Sequence, residues 1–291
     1  MRTIWSGFLV VFLGLPISAA AQEGHHHGPA APTPKARNQI RALEQAVEGR
    51  FGDLQRVQEA GFAPVFGWIP TMGTHWVSAS RMLTGKRFEA ADPPQLMFSS
   101  VDGKPKLVGA AYAYVAAETD TTRPASFDGN PPWHEHPDLA PPGMTLVMLH
   151  VWFVDSPDGP FAGHNPWLPF WALGLVPPDG NRLHDMADSR RIRAVALALG
   201  EVVDSAGVFP RLAQRTGVQQ ALMPHRAAIR ALIPELSGRQ KAGDWSGWNR
   251  VADDLAAHWA EMRKIYLGAI QRADFRERVE RFLVEMETGG H

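Results

Sequence analysis

The sequence predicts an α+β protein: an N-terminal helix packed on an antiparallel β-sheet with long Pro/Trp-rich loops, followed by a small α-helical bundle. Three observations predict it. Apolar residues recur every three or four positions between Lys35 and Ala60. Short runs rich in aliphatic, β-branched and aromatic residues then occupy residues 95–99, 106–115 and 144–154. Beyond Pro178 the prolines nearly stop and helical spacing returns. A helix, then strands, then helices in blocks is the α+β order, since a parallel sheet would alternate the two.

The elements follow in chain order. Arg2, the apolar run 4–15, the break at Pro16 and the small residues Ala19-Ala20-Ala21 have the form of a cleaved signal peptide over residues 1–21. The run is shorter than the roughly 20 residues a membrane span needs. Residues 22–35 read as a flexible His/Pro-rich leader, in which His25, His26 and His27 are either a metal-capturing tract or solvated low complexity. The expected location is therefore periplasmic or secreted, with no stable membrane insertion after signal cleavage. An α+β domain is expected over residues 36–180. Its helix carries Ile40, Leu43, Val47, Phe51, Leu54 and Val57 on one face, and Gly61 sits where a C-terminal cap belongs. Asp102-Gly103 marks a hairpin turn between the first two strands. Half of the 24 prolines lie between Pro124 and Pro178, and six of the ten tryptophans between Trp68 and Trp171, which makes the loops of this domain long and apolar. A helical domain is expected over residues 181–291. Its stripes are Ile192, Val195, Leu199 and Val202, then Trp248, Val251, Leu255, Trp259, Met262 and Tyr266. Pro224 is placed to open a helix, and Asp274 with Glu277 to form a capping box before Val279.

Composition narrows the chemistry. The chain has 291 residues, 45% of them apolar, with 29 Lys plus Arg against 30 Asp plus Glu. That near-neutral balance gives no electrostatic footprint for nucleic acid. There is no cysteine. Disulfides, thiolate metal sites, iron–sulfur clusters, c-type haem attachment and thiol nucleophiles are thereby excluded. Any transition metal must be held by imidazole, carboxylate, thioether or backbone.

The histidines carry what remains. Apart from the leader and His291, five of eight lie in the α+β region: His75, His134, His136, His150 and His164. In His134-Glu135-His136 an extended chain points both imidazoles to one side, and Glu135 to the other. His150 is the one polar side chain with a ring in the apolar run 145–154, so burial demands that it find a hydrogen-bond partner or a metal. The competing reading is a core histidine satisfied by a backbone carbonyl, Glu135 or Asp155. His75 follows the Pro70-Thr71 turn within Met72-Gly73-Thr74-His75-Trp76, where Gly73 permits close approach and Trp76 can wall a pocket. His164 lies in a loop between Gly159-Pro160 and Asn165-Pro166 and reads equally as ligand, substrate contact or packing residue. His184, His225 and His258 are scattered, and His258 reads as packed or solvated. The candidate metal ligands are His75, His134, His136 and His150.

At these residues the chain resembles a family of mostly uncharacterised exported bacterial proteins. The shared motifs read here as Gly61-Phe62, Met72-Gly73-Thr74-His75-Trp76, Leu107-Val108-Gly109, His134-Glu135-His136 and His150-Val151-Trp152, followed by Gly159-Pro160-Phe161-Ala162 and Asn165-Pro166. The resemblance covers about residues 40–170 and implies no particular reaction. His164 stands where the family pattern is not regularly histidine, which leaves it outside the candidate set.

Two functions follow. The first is an exported metalloprotein binding one transition-metal ion (zinc, copper or non-haem iron) through the four histidines. A shell closed by four imidazoles serves storage, delivery or structure, and an open fourth position permits catalysis. Asp128, Asp138 and Asp155 are candidates to hydrogen-bond a ligand's far nitrogen. The alternative is a non-catalytic module whose Trp/Pro loops form an apolar groove for a small-molecule ligand that the histidines hydrogen-bond. A structural exported protein with satisfied buried histidines is the third possibility. No nucleophile elbow, His-Glu-x-x-His helix, Walker A loop or dinucleotide fingerprint is present.

Overall fold

The computed structural model describes residues 31–82, 88–203 and 209–289. The expected signal peptide, the His25–His27 tract and His291 lie outside them. Six strands form one antiparallel sheet: β1 (Ala63–Ile69), β2 (Gly73–Val77), β3 (Gln95–Val101), β4 (Lys104–Ala117), β5 (His134–His136) and β6 (Met144–Trp152). Across the sheet the order is β1-β2-β3-β4-β6-β5. The helices are α1 (Pro34–Phe51), α2 (Leu54–Glu59), α3 (Leu168–Ala172), α4 (Met186–Val203), α5 (Pro210–Ala213), α6 (Thr216–Lys241), α7 (Trp245–Gly268) and α8 (Ala273–Thr288). The fold class is α+β, with a helix ahead of the sheet and a helical bundle after it. Among the described residues no helix is long and apolar enough to cross a membrane.

The first helical region is two helices where the periodicity predicts one. Thr33 caps α1, its hydroxyl accepting from Ala36 N at 3.0 Å, and Pro34 takes the first-turn position. The chain then breaks at Gly52-Asp53. The Asp53 carboxylate caps α2 by accepting from Arg56 N at 2.9 Å, an alternative that an aspartate offers a backbone better than helix interior does. The apolar stripe runs on unbroken across the gap, which is why its period hides the break. Gly61, at φ +83°, ends the segment as expected.

The sheet is buried on both faces. Ile40, Leu43, Val47 and Phe51 of α1 pack on Leu96, Phe98, Ala110, Tyr112, Leu149 and Val151. The intervening residues Met97, Ala111, Ala113, Met148 and Trp152 face the other way and pack with Leu168 at the start of α3. The β3–β4 hairpin turns at Asp102 (φ 51°) and Gly103 (φ 74°), the two consecutive left-handed residues that a two-residue turn of this twist requires. The β1–β2 hairpin was not among the expected strands. Pro64, Gly67 and a bulge between Val65 and Trp68 interrupt the alternation that marks a strand.

The bundle buries both predicted stripes, with Ile192, Val195 and Leu199 of α4 against Trp248, Val251, Leu255, Trp259, Met262 and Tyr266 of α7. Trp167 and Phe170, ahead of residue 180, belong to this same core. Two local expectations are corrected. Pro224 does not open a helix; with Pro234 it lies inside α6. Both prolines are exposed, so the carbonyls they leave without a partner face water while Leu222, Ile229 and Leu236 hold the other side in the core. Nor do Asp274 and Glu277 form a capping box. Arg272 is the N-cap of α8 without a side-chain bond, and Asp274 is drawn to its guanidinium instead, at 2.5 Å.

Candidate metal centre

Strand register decides where the histidines go. His75 on β2 is opposite Met97 on β3, Met97 is opposite Gly109 on β4, and Gly109 is opposite Trp152 on β6. His150 is opposite Ala111, His134 opposite Met148, and His136 opposite Leu146. Residues opposite one another, and residues two apart on a strand, share a face. All four expected ligands therefore stand on the sheet face turned away from α1. The strand between them presents Gly109, Ala111 and Ala113 there. A Cβ at Gly109 would come within 2.5 Å of Met97 Cε and 2.6 Å of Val151 O, so only glycine fits that point. These small residues leave the space in which side chains from β2 and β6 meet over two intervening strands.

His75 Nε2 lies 3.4 Å from His150 Nε2. The His150 ring also packs on His134, with centroids 4.9 Å apart, and His134 packs on His136 at 5.0 Å. Trp152 flanks the row, its ring centroid 6.1 Å from that of His150. His75, His134 and His150 are buried and His136 is half-buried. His150 Nδ1 is enclosed without a hydrogen-bond partner. Leaving such a group unsatisfied costs about 1–3 kcal/mol. Among the described residues neither a backbone carbonyl nor Glu135 nor Asp155 bonds His150 Nδ1.

Burial holds His75 and His150 neutral. Desolvation, then the charge of His136, pushes His75 down to about 4. Desolvation drives His150 well below the usual imidazole value, helped by His134, His75, His136 and His164 in that order. Neutral imidazole is the form that binds a metal, and the electrostatic neighbours of His150 are all imidazoles.

Of the acidic candidates, Glu135 and Asp128 are engaged elsewhere, and the Asp138 side chain lies outside the described residues. Glu135 points off the site, as its place between two histidines predicts, and pairs with Arg123. Asp128 is tied to the start of α1 through Thr33 at 2.6 Å and Lys35 at 3.2 Å. Asp155 contributes its backbone carbonyl to Asn165 Nδ2 at 2.9 Å.

Three residues outside the expected set belong to this neighbourhood. His164 is buried, its Nδ1 3.0 Å from Thr71 Oγ1, while Asn165 N donates to Thr71 O at 2.7 Å. The loop is thus stitched to the β1–β2 turn beside His75, and His164 acts electrostatically on His150. Met97 and Met148 are the other two, buried opposite His75 and His134. Met148 was legible, being two residues from His150 on a strand; Met97 needed the register. In the bundle the structure also joins two histidines that sequence reading left scattered: His225 on α6 and His258 on α7 meet Nδ1 to Nδ1 at 3.1 Å.

Among the described residues no group of three or more His, Asp or Glu side chains is positioned to hold a metal ion as it stands. Two clefts of about 380 and 390 Å³ lie on the helical side, one lined by Phe170, Leu175, Val176, Leu236 and Trp245, the other by Arg190, Trp259 and Arg263. Neither includes a histidine. The tryptophans of the loop region are largely spent on packing, with Trp68, Trp76, Trp152 and Trp167 buried. No family model, no curated protein and no solved structure matches the chain.

Proposed function

We propose that the protein is an exported metal-binding protein that holds one transition-metal ion through His75, His134, His136 and His150. The observation that carries this reading is the His75–His150 pair. Two nitrogens each bound at about 2.0–2.1 Å to one tetrahedral ion stand about 3.3–3.4 Å apart. The 3.4 Å between the two Nε2 atoms matches that span and is long for a hydrogen bond. His134 adjoins His150, and His136 adjoins His134, so the third and fourth nitrogens would come from these neighbouring rings once their side chains rearrange around the ion. When bound, the ion supplies the positive charge that a dry cluster of neutral donors otherwise lacks a reason to assemble for. His75 and His150 supply preformed donors, and Trp152 and Leu168 keep water from that side of the sheet.

Holding or handing over the ion is favoured above catalysis. Two candidate carboxylates are engaged elsewhere, Glu135 with Arg123 and Asp128 with Lys35, which leaves neither of them placed as a general base for a metal-bound water. Export to the periplasm or medium is part of the same proposal and rests on the form of residues 1–21.

Metal content by elemental analysis tests it. The starting protein should carry His25→Ala, His26→Ala, His27→Ala and His225→Gln, so that neither the leader tract nor the His225–His258 pair contributes to the metal count. About one equivalent per chain is expected. The further change His134→Ala/His136→Ala should abolish it with the fold intact by circular dichroism. No metal in the starting protein after loading with zinc, copper and iron in turn would overturn the reading.

A further inference from the structure

The two methionines in the row of imidazoles give the site a metal preference, an inference that rests on the metal-binding reading above. We infer that the resident ion is monovalent copper, held by imidazole nitrogens together with the thioether of Met97 or Met148. Met97 is fully buried and directly opposite His75 on the next strand. Its methyl end reaches over β4 to within 2.5 Å of where a Gly109 Cβ would stand, a position that is itself 3.4 Å from the Trp152 ring. Met148 is buried opposite His134 and two residues from His150, hence on their face of the sheet. His75 and His134 thus each have a thioether as their cross-strand neighbour, at the separation where opposite side chains touch, while His150 has Ala111 opposite it and Met148 two residues away on its own strand.

Charge argues the same way. His75 and His150 are held neutral by desolvation, and carboxylates nearby are paired elsewhere. Glu135 is paired with Arg123, Asp158 with Arg193 at 2.8 Å, and Asp128 with Lys35. The cost of placing an ion in a low-dielectric site grows with the square of its charge, so a divalent ion without a carboxylate pays about four times what a monovalent one pays. Zinc sites ordinarily offset that with thiolate or carboxylate, and the chain has no cysteine. A soft thioether beside imidazole selects copper in its lower oxidation state.

Competition titration decides it. The starting protein is the full chain with His25, His26 and His27 changed to Ala and His225→Gln. It is titrated anaerobically with Cu(I) against a chromophoric Cu(I) chelator, and separately with Zn(II) against a chromophoric zinc chelator. The expected result is one Cu(I) per chain. Met97→Leu or Met148→Leu, both close to volume-conserving, should weaken Cu(I) by about tenfold or more and leave Zn(II) unchanged. Cu(I) affinity untouched by either substitution, or a site filled by Zn(II) in preference to Cu(I), overturns the copper inference while leaving the imidazole site standing. Neither metal binding overturns both. Should the leucine variants fail to fold, X-ray absorption of the Cu(I)-loaded starting protein decides: a sulfur neighbour supports the inference, and nitrogen neighbours alone overturn it.

Discussion

His75 and His150 set a pH dependence that their surroundings make one-directional. A base whose folded value is depressed takes up its proton in the unfolded chain first. His75 lies at about 4 against 6.5. Its contribution to the stability of the metal-free protein is therefore intact above 6.5, declines as pH falls through the window between those values, and is lost below it. His150 shifts in the same direction and adds to the decline. Between about pH 7 and about pH 5 the loss from His75 alone should be on the order of 2 kcal/mol. Urea unfolding at the two pH values measures it. A profile that is flat across that interval, or whose slope is unchanged in His75→Asn, contradicts this account. Much of the residue-scale site was legible in advance. His-x-His on an extended chain puts two rings on one side whatever the fold, and one imidazole in an apolar strand announces a need. The role of His164 stayed open among ligand, substrate contact and packing residue because its partner Thr71 is 93 residues away.

In the bundle, α4, α6 and α7 share a buried polar contact that no stripe of apolar residues reveals. The Glu201 carboxylate is fully enclosed; its Oε2 accepts from Arg226 Nη2 at 2.8 Å, and its Oε1 accepts from the Tyr266 hydroxyl at 2.8 Å. Removing one partner strands a charge, whereas replacing both with apolar residues of similar size removes the desolvation problem as well. Arg226→Ala should cost about 3–5 kcal/mol, and Glu201→Leu/Arg226→Met clearly less. Denaturant midpoints of the two proteins check this, and equal losses would count against it. The helices themselves were legible wherever one face is continuously apolar. Their ends were not, because Asp53 as a cap and Pro224 inside a helix depend on which side meets water.

Sheet and bundle are joined by a close approach at the β1–β2 turn that carries the chain into His75. A Cβ at Gly200 of α4 would lie 2.5 Å from Pro70 Cβ and 3.5 Å from the Trp68 ring. Gly200→Ala must push α4 off that turn. It should cost about 1–3 kcal/mol by thermal or chemical unfolding. Gly217→Ala is the control. Its Cβ would meet nothing within 4 Å, and in helix α6 it should be neutral or stabilising. Gly200→Ala behaving like Gly217→Ala would remove the contact from the account. Arg193 gives a second tie across the same boundary: it is buried on α4 and reaches Asp158 in the loop after β6 at 2.8 Å.

What the sequence determined by itself is whatever local periodicity and turn chemistry encode. That covers the α+β class, the strands around Asp102-Gly103, the helical stripes and the pointing of His134 and His136 to one side. The tertiary structure decided which of these side chains meet. His75 and His150 are 75 residues apart and sit on strands with two others between them. Their nitrogens come together because β6 pairs with β4 rather than with β3, and because Gly109 and Ala111 leave the intervening face low. Pairing order and free space are properties of contacts between distant segments, so no window of sequence contains them.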